Sequence, residues 1–239
     1  MDNISFKQRV CQSIIDQSKI YKKIFIDRQY LICSKCFTNR KYYILVANKD
    51  NYLHLVGVHT NLTPSDFFEK CFNDTLTEND FDFSKKNQSE KSVKGSVRRK
   101  ISALENINNF FAQDLYIEEG FRKNKVSCVI ATSDNKITIG FSDGMYSRPK
   151  TLLKGNMLNM STNQIDLILS KEKKDKTFNK IEYGNEEILS YYHKDIYHLI
   201  SKKLNLNEIH YFSEEKFSLF LLQQPKGKEK EYEKHIKER

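Results

Sequence analysis

The sequence predicts a mixed α+β fold, because some of its segments have helical periodicity and others have the composition of strands joined by turns. Apolar residues spaced near the helical period predict one helix over about residues 3–22 and another over about 97–113. The runs 125–134 and 135–144 are rich in β-forming residues, and the polar turn at residues 133–136 predicts that they form a β-hairpin.

Further elements are predicted on both sides of these segments. Residues 30–33 and 41–47 predict two strands that close a hairpin, and residues 149–155 predict a strand that extends the later sheet. Thr63-Pro64-Ser65 is a helix-start signal, with Ser65 as the expected N-cap. Residues 164–173 fit either a strand or a helix. Residues 185–204 are predicted to be helical, and residues 210–222 are predicted to return to the sheet.

The organisation of the chain follows from its composition along the sequence. Residues 84–97 contain no large aliphatic side chains except two valines, which predicts a loop or flap, and residues 226–239 form a charged tail. We therefore divide the chain into an N-terminal helix and hairpin extension over residues 1–39, a main domain over 40–222 and a tail over 223–239.

Composition excludes several classes of protein. Apolar residues make up 38% of the 239 residues, and 16 Phe and 13 Tyr supply aromatic core material, which excludes a disordered chain. No apolar run approaches the roughly 20 residues of a membrane helix, and the first residues lack the apolar stretch of a secretory signal. We therefore expect a cytoplasmic protein with no membrane partner.

Metal and cofactor sites are not expected. Cys33 and Cys36 have the spacing of half a zinc knuckle, but no second CxxC or HxxxH pair follows, and five cysteines do not suggest a disulfide framework. Walker A, GxGxxG, GxSxG and HExxH motifs are absent from the sequence. The expected cofactor is therefore none.

The formal net charge of +9 is concentrated in two stretches. Residues 85–100 hold seven Lys and Arg against Glu90 alone, and residues 120–154 hold seven against Asp134 and Asp143. If these stretches fold against each other, they form a positive face that neutralises phosphates. The alternative is that both are ordinary solvated surface.

Two histidines are the leading candidates for proton transfer. His54 and His59 lie in the segment YLHLVGVHT, and an imidazole can take a proton from one oxygen and return it to another. A histidine between leucines is, however, more commonly a packed core residue. The two interpretations predict opposite exposures for His54.

Hydroxyls and cations provide the rest of the predicted site. Thr138 and Ser142 fall on one face of a strand, and Gly140 between them leaves room for an approach to the backbone. Arg148, Lys150 and Lys154 follow, and their charges are suited to binding phosphate. Histidine, hydroxyl and cation together are what cleavage of RNA by its own 2′-hydroxyl requires.

A series of short motifs carries a family resemblance over about residues 40–185. These are YLHLVGVHT, DFFEKC, RRKISALENI, CVIATSDNKITIGF and RPKTLLKGN, in this order. The chain resembles the phage-associated barnase, EndoU, colicin and RelE-like nucleases of the fourth phage type, although Val56 stands where the histidine motif of that family has Thr. The resemblance implies a small α+β fold, with helices followed by a curved antiparallel sheet, and RNA cleavage without a metal. Outside the matched segment we expect an N-terminal helix and helical additions at the C-terminal end.

The resemblance also implies roles for individual residues. These are His54 as acid or base, Arg98 or Arg99 as phosphate binder, Thr138 as a hydroxyl on the active face, and Lys150 or Lys154 as charge stabiliser. From the residues and the resemblance together we expect His54, Thr138 and Lys150 to be catalytic. The expected substrate-binding residues are Arg98, Arg99, His59, Ser142, Arg148 and Lys154.

The predicted function is therefore an endoribonuclease that acts by 2′-hydroxyl transesterification, as a toxin or mobile-element effector. RNA is the expected partner, together with an antitoxin or another protein at the N-terminal helix. Two alternatives stay open: a non-catalytic nucleic-acid binder with the same fold, and a phage or plasmid protein-interaction module.

Overall fold

The computed structural model describes residues 4–108, 110–123, 126–159 and 163–204. These residues form five α-helices, whose bounds are α1 Phe6–Tyr21, α2 Asn51–Val56, α3 Pro64–Phe72, α4 Glu90–Leu104 and α5 Glu186–Ile196. A π-helical turn, Lys22–Ile26, continues α1, and short 3₁₀ turns lie at Glu78–Asp80 and Phe110–Ala112.

The strands form antiparallel sheets. Their bounds are β1 Arg28–Cys33, β2 Tyr43–Val46, β3 Tyr116–Glu119, β4 Arg122–Lys123, β5 Val126–Ser127, β6 Ile130–Ser133, β7 Ile137–Phe141, β8 Pro149–Lys154, β9 Leu167–Glu172 and β10 Lys180–Tyr183. One sheet has the order β10-β9-β1-β2 and the other β3-β6-β7-β8, while β4 and β5 form a separate short ladder.

Backbone hydrogen bonds join the two four-stranded sheets at two places. Ser147, just before β8, donates to the carbonyl of Ile44 and accepts from the amide of Val46, so that the end of one sheet continues into the other. Residues 163–165, just before β9, bond in the same way to β3 and its neighbour Leu115. The sheets therefore belong to one structural unit.

A large hydrophobic core lies between helices α1–α4 and both four-stranded sheets, and it is rich in aromatic rings. The rings of Tyr21 and Tyr52 lie 5.0 Å apart, and Phe68 packs against both of them. The Tyr52 hydroxyl donates to the carbonyl of Ile14 in α1, which satisfies its buried polar atom. Helices α2 and α4 both pack on β8, and this contact positions the candidate site.

The prediction of α1 and of the first hairpin is confirmed. Helix α1 begins after Ser5, whose side chain accepts from the Gln8 amide in a capping box, and it ends close to the predicted residue. Strand β1 pairs with β2, as predicted, and also with β9 on its other side. Both α1 and β1 thus contribute to the common core.

Two helix starts differ from the prediction. Thr63, not Ser65, caps α3, because Pro64 fits the first helical position and the Thr63 hydroxyl accepts from the Asp66 amide at 3.1 Å. Helix α4 begins at Glu90, inside the predicted loop, since Ser89 caps it. Val93 and Val97 then continue its buried stripe.

The end of α4 also differs from the prediction. The helix ends at Leu104 rather than near residue 113, although apolar residues continue at helical spacing. The side-chain amide of Asn106 bonds the Ser102 carbonyl at 2.8 Å and thus competes with the helical backbone. Ile107 and Phe110 donate to residues three positions earlier, which produces tighter turns instead of a further α-helical turn.

The later elements agree with the prediction in part. The predicted turn at residues 133–136 joins β6 to β7, β8 extends that sheet, and residues 167–172 resolve the open alternative as a strand, β9, in the other sheet. The predictions for residues 210–222 and 226–239 lie outside the described residues. No helix in the described part of the chain has the length and apolar character needed to cross a membrane.

A substitution at Gly140 in β7 tests the packing on the face of the β3-β6-β7-β8 sheet that lies away from the helical core. A Cβ atom at this position would lie 2.5 Å from the Cys128 sulfur and 2.9 Å from Cγ2 of Thr151. We expect Gly140→Ala to lower the free energy of unfolding by about 1–3 kcal/mol in chemical denaturation, with partial recovery when Cys128→Ala is added.

Gly95 in α4 provides the matched control for Gly140. The nearest atom to a Cβ there would be Arg99 Nη1 at 3.8 Å, and the position is helical. Gly95→Ala is therefore expected to stabilise the protein by ~0.5–1 kcal/mol. Equal effects of the two substitutions would contradict the close packing of Cys128 on β7.

Candidate active site

His54 lies on the surface, in the last turn of α2. The side chain is exposed, while Leu55 and Val56, the next two residues, are buried in the core. The helix ends at Gly57, which adopts a left-handed φ of +78° that glycine tolerates best. His54 is therefore available to a ligand, and the alternative of a core histidine does not describe this structure.

Lys100 reaches across from α4 to the end of α2. Its Nζ donates to the main-chain carbonyl of His54, one of the carbonyls that the helix end leaves without an intrahelical partner. Its side chain also packs against Gly57, where a Cβ would lie 2.7 Å from the Lys100 Cδ. Lys100 thus binds the backbone of the residue that carries the exposed imidazole.

The environment of Lys100 lowers its pKa. Burial of the ammonium group is the main cause, nearby Lys85 adds to it, and together they lower the pKa from 10.5 to about 8. An amine with such a pKa is still mainly protonated at neutral pH and can release its proton under mildly basic conditions. It is therefore suited either to stabilising negative charge or to transferring a proton.

His59 lies beyond Gly57 and is held by two polar partners. Its Nδ1 is 3.2 Å from both carboxylate oxygens of Asp82 and 3.1 Å from the Ser84 hydroxyl. The backbones of His59 and Asp82 also exchange hydrogen bonds, which fixes the two residues opposite each other. The side chain of His59 is about half exposed.

This arrangement favours one protonation pattern. Hydrogen bonds from Ser84, assisted by His59, lower the pKa of Asp82 to about 2, so that the carboxylate stays ionised. An ionised carboxylate at Nδ1 favours the proton on that nitrogen. Within the described part of the chain, Nε2 of His59 has no hydrogen-bond partner, and it is therefore the nitrogen available for proton exchange.

The two predicted arginines lie on the same helix as Lys100. Both Arg98 and Arg99 are exposed, and the Arg98 guanidinium lies 5.2 Å from the centre of the Phe6 ring. Helices α2 and α4 pack against each other, and Lys100 bonds the backbone of His54 across this contact. The two arginines lie on the same helix as Lys100, and His59 lies in the segment after α2.

The structure does not place Thr138 on a shared surface with His54. Its neighbours in β7, Ile137 and Ile139, face the helical core, so Thr138 faces the opposite side of the sheet. It is fully buried, and its hydroxyl donates to the Gly155 carbonyl and accepts from the Met157 amide. The role predicted for Thr138 stays a prediction, but in this conformation its hydroxyl is enclosed.

Gly140 shares that face, where the space it leaves is occupied by Cys128 rather than by an open approach. Lys150 lies beside a register shift between β7 and β8, and its Nζ donates to the Ser127 carbonyl at 2.8 Å. Burial raises the pKa of the Cys128 thiol, and the charge of Lys150 opposes this rise. Lys150 is exposed, but its hydrogen bond is next to Cys128 and not to His54 or Lys100.

The other predicted substrate-binding residues surround β8. Arg148 and Lys154 are exposed near its two ends, and the Ser142 amide and hydroxyl both bond the Arg148 carbonyl. These positions make Arg148 and Lys154 available to a polyanion. Ser142 takes part in the turn between β7 and β8.

The two cysteines of the CxxC pair differ in exposure, since Cys33 is buried in β1 and Cys36 is exposed. No group of three or more His, Cys, Asp or Glu side chains suited to a metal ion occurs among the residues that the structure describes.

Lys100, Asp82 and Ser84 are site residues that the sequence analysis did not identify. One signal for Lys100 was available, because it lies three residues after Val97 and so at the edge of the buried stripe of α4. Asp82 stands between two buried phenylalanines, Phe81 and Phe83, and the alternation places it outward. Neither pattern shows which histidine these residues contact.

The structure combines exposed imidazoles, a lysine of lowered pKa and an excess of surface cations on helices that pack against antiparallel sheets. This combination is typical of proteins that act on nucleic-acid phosphates. A comparison with known protein families shows to which family of this class the chain belongs. The model of the family phage-Barnase-EndoU-ColicinE5/D-RelE like nuclease 4 matches residues 13–210, and the chain belongs to that family of nucleases. No curated protein and no solved structure matches the chain significantly.

The match confirms the family that the sequence motifs predicted and extends further along the chain. It begins within α1 and therefore includes the hairpin with Cys33 and Cys36, which the predicted resemblance over residues 40–185 left out.

Proposed function

We propose that this nuclease is a metal-independent endoribonuclease that cleaves RNA through attack of the ribose 2′-hydroxyl on the adjacent phosphate. The observation that carries the proposal is the bond between Lys100 and the main-chain carbonyl of His54, which joins a lysine of lowered pKa to the backbone of the residue that bears an exposed imidazole. Acid–base groups and a cation are sufficient for this reaction.

The reaction requires one base and one acid. A base takes the proton of the 2′-hydroxyl, the 2′-oxygen bonds to phosphorus, and the bond from phosphorus to the 5′-oxygen breaks. An acid then gives its proton to the leaving 5′-oxygen, and a 2′,3′-cyclic phosphate remains. We assign the two proton-transfer roles to His54 and His59, and the stabilisation of charge on phosphorus to Lys100.

The geometry around His59 supports its assignment. Asp82 and Ser84 hold Nδ1, so that Nε2 points away from them and is free to exchange a proton with substrate. Asp82 orients the ring in the way that a carboxylate orients a catalytic histidine in other hydrolytic sites. His59 therefore has a better-defined orientation than a solvated surface histidine.

The remaining predicted residues have binding roles in this proposal. Arg98 and Arg99 on α4, with Arg148 and Lys154 beside β8, are exposed cations that can bind backbone phosphates on either side of the cut. A toxin or mobile-element role and an antitoxin bound at α1 are part of the proposal, as is a cytoplasmic location.

Purified protein incubated with total RNA in excess EDTA tests the proposed function. Fragments with 2′,3′-cyclic phosphate ends support transesterification without a metal. Cleavage that appears only after addition of a divalent cation contradicts metal independence. Binding of RNA without cleavage, with and without metal, would instead favour the non-catalytic nucleic-acid binder.

Asp82→Asn tests the orientation of His59. The amide cannot favour the proton on Nδ1 as the carboxylate does, so kcat is expected to fall by about tenfold or more with little change in KM. Asp74→Asn serves as control, because Asp74 is an exposed carboxylate that pairs with Lys19 away from the histidines. Equal activity of the two variants would exclude a role of Asp82 in catalysis.

A further inference from the structure

A cleft of about 640 Å³ opens between the first turn of α1, the segment 82–88 and α4. Its size lies within the range of small-ligand sites in proteins. Its walls include the rings of Phe6 and Phe83 and the side chains of Lys7 and Lys85. None of the roles assigned above places a ligand in this cleft.

The charges of the cleft leave an excess of cations. Of its two acidic side chains, Glu90 forms an ion pair with Lys94 at 2.6 Å, and Asp82 is hydrogen-bonded by His59 at 3.2 Å. Lys7 and Lys85 have no acidic partner within the described ranges of the chain. An anionic ligand is therefore favoured over a cationic one.

The apolar part of the cleft consists of aromatic rings that carry cations. The Phe6 and Phe83 rings lie 5.3 Å apart, with Arg98 over the first at 5.2 Å and Lys94 over the second at 5.4 Å. Aromatic faces and guanidinium planes are surfaces on which unpaired bases stack, while ammonium groups bind the phosphates between them. This combination fits a nucleotide better than a bare anion.

The cleft adjoins the proposed catalytic group. Asp82 and Ser84 belong to its wall and also hold the His59 ring, so a ligand in the cleft lies next to the second histidine. Lys85, in the same wall, lies close enough to Lys100 for its charge to lower the pKa of Lys100.

We infer that this cleft binds one nucleotide of a single-stranded RNA, adjacent to the phosphate that is cut. Lys7 and Lys85 bind the phosphate of that nucleotide, and the partly exposed ring of Phe6, which packs on the buried Phe83, contacts its base. The choice of RNA as the ligand rests on the proposed function. The requirement for a single strand follows from the stacking surface, because a base inside a duplex cannot reach it.

The test measures binding of a fluorescein-labelled 2′-O-methyl oligoribonucleotide, which lacks the attacking hydroxyl and is not cleaved. Fluorescence anisotropy at several salt concentrations gives the affinity and its salt dependence. We compare the wild-type protein, Lys7→Ala/Lys85→Ala, and the control Lys23→Ala/Lys173→Ala, which removes two exposed cations elsewhere in the chain. Circular dichroism checks that each variant is folded.

The cleft variant is expected to bind about tenfold or more weakly than the control, and its salt slope to fall by about 0.7 for each lost phosphate contact. Photo-cross-linking of wild-type protein to oligomers containing 5-iodouridine, mapped by mass spectrometry, is expected to label Phe6. This second measurement does not depend on the folding of any variant.

Three results would overturn the inference: equal losses in the two double variants, cross-links only to aromatic residues away from the cleft, or equal affinity for a duplex of the same sequence. Failure of the proposed function is recognised separately. A protein that binds the oligomer in the cleft but leaves natural RNA intact retains this inference and loses the catalytic proposal. A protein that cleaves RNA, but whose affinity for the oligomer is the same in the cleft variant and the control, retains the catalytic proposal and loses this inference.

Discussion

Replacement of His54 by alanine is expected to lower the rate of RNA cleavage by about 10²–10⁴-fold, the usual contribution of a general acid or base. The imidazole is exposed and packs in no part of the core, so the variant should fold as the wild type does. Cleavage is measured under single-turnover conditions, and thermal unfolding of the same samples reports stability.

His198→Ala is the matched control for this experiment. His198 is also exposed, but it lies after α5 beside Tyr197 and Tyr42 rather than near Lys100. Retention of cleavage in His54→Ala would remove His54 from the mechanism. Unfolding of His54→Ala would instead show that the histidine serves the packing of α2.

Lys100→Met is expected to have the second large effect, a loss of cleavage of at least about 10²-fold from removal of the charge beside the phosphate. In the wild type, a role for the protonated amine predicts that the rate falls as pH rises through about 8, where Lys100 loses its proton. Lys85, His54 and His59 are the other titratable groups that face this region, so the profile is compared with that of Lys85→Met.

The free energy of unfolding should depend on pH in the opposite direction to the cleavage rate, because Lys100 contributes to both. The pKa of Lys100 is lower in the folded protein than its ordinary value of 10.5, so between pH 8 and 10.5 the unfolded chain holds a proton that the folded chain has lost. The free energy of unfolding therefore rises with pH in this window, and below pH 8 the buried charge is a constant cost.

Urea unfolding of wild type and Lys100→Met at pH 7, 8 and 9.5 measures this effect. The difference in free energy of unfolding between the two proteins should shift in favour of the wild type as pH rises. A difference that stays constant would show that Lys100 titrates as an ordinary surface lysine. A pH–rate profile of wild type without a decline near pH 8 would show that cleavage does not require its proton.

Elements with local signals could be predicted from the sequence. The apolar spacing of α1 and the turn between β6 and β7 depend on neighbouring residues, and both were predicted. The start of α4 was missed because the polar composition of residues 84–97 concealed Val93 and Val97, four residues apart on the buried stripe. Composition was there a weaker guide than spacing.

The sheet partners of β9 could not be predicted, since they depend on distant residues. Local patterns left residues 164–173 as either strand or helix, and pairing with β1 decided the question. The same limit applies to the site. The alternation that places Thr138 and Gly140 on one face was right, but the cover provided by Cys128 and by residues 155–157 comes from tertiary packing.

Lys100 illustrates why the candidate site was identified in part. The motif with His54 and the basic start of RRKIS were both recognised as candidates, but their contact joins residues 46 positions apart. Sequence periodicity places each residue on its own helix and does not report which helices meet. Structure was needed to connect the two motifs and to separate both from Thr138.

The central position of β1 has a consequence for the order in which the protein is made. A ribosome releases Arg28–Cys33 early, yet one of the two neighbours of this strand, Leu167–Glu172, leaves the exit tunnel only after most of the chain has been translated. Until then the sheet that contains β1 lacks β9, and the hydrophobic core that this sheet shares with the helices is incomplete. The chain is therefore expected to complete its native core only late in synthesis.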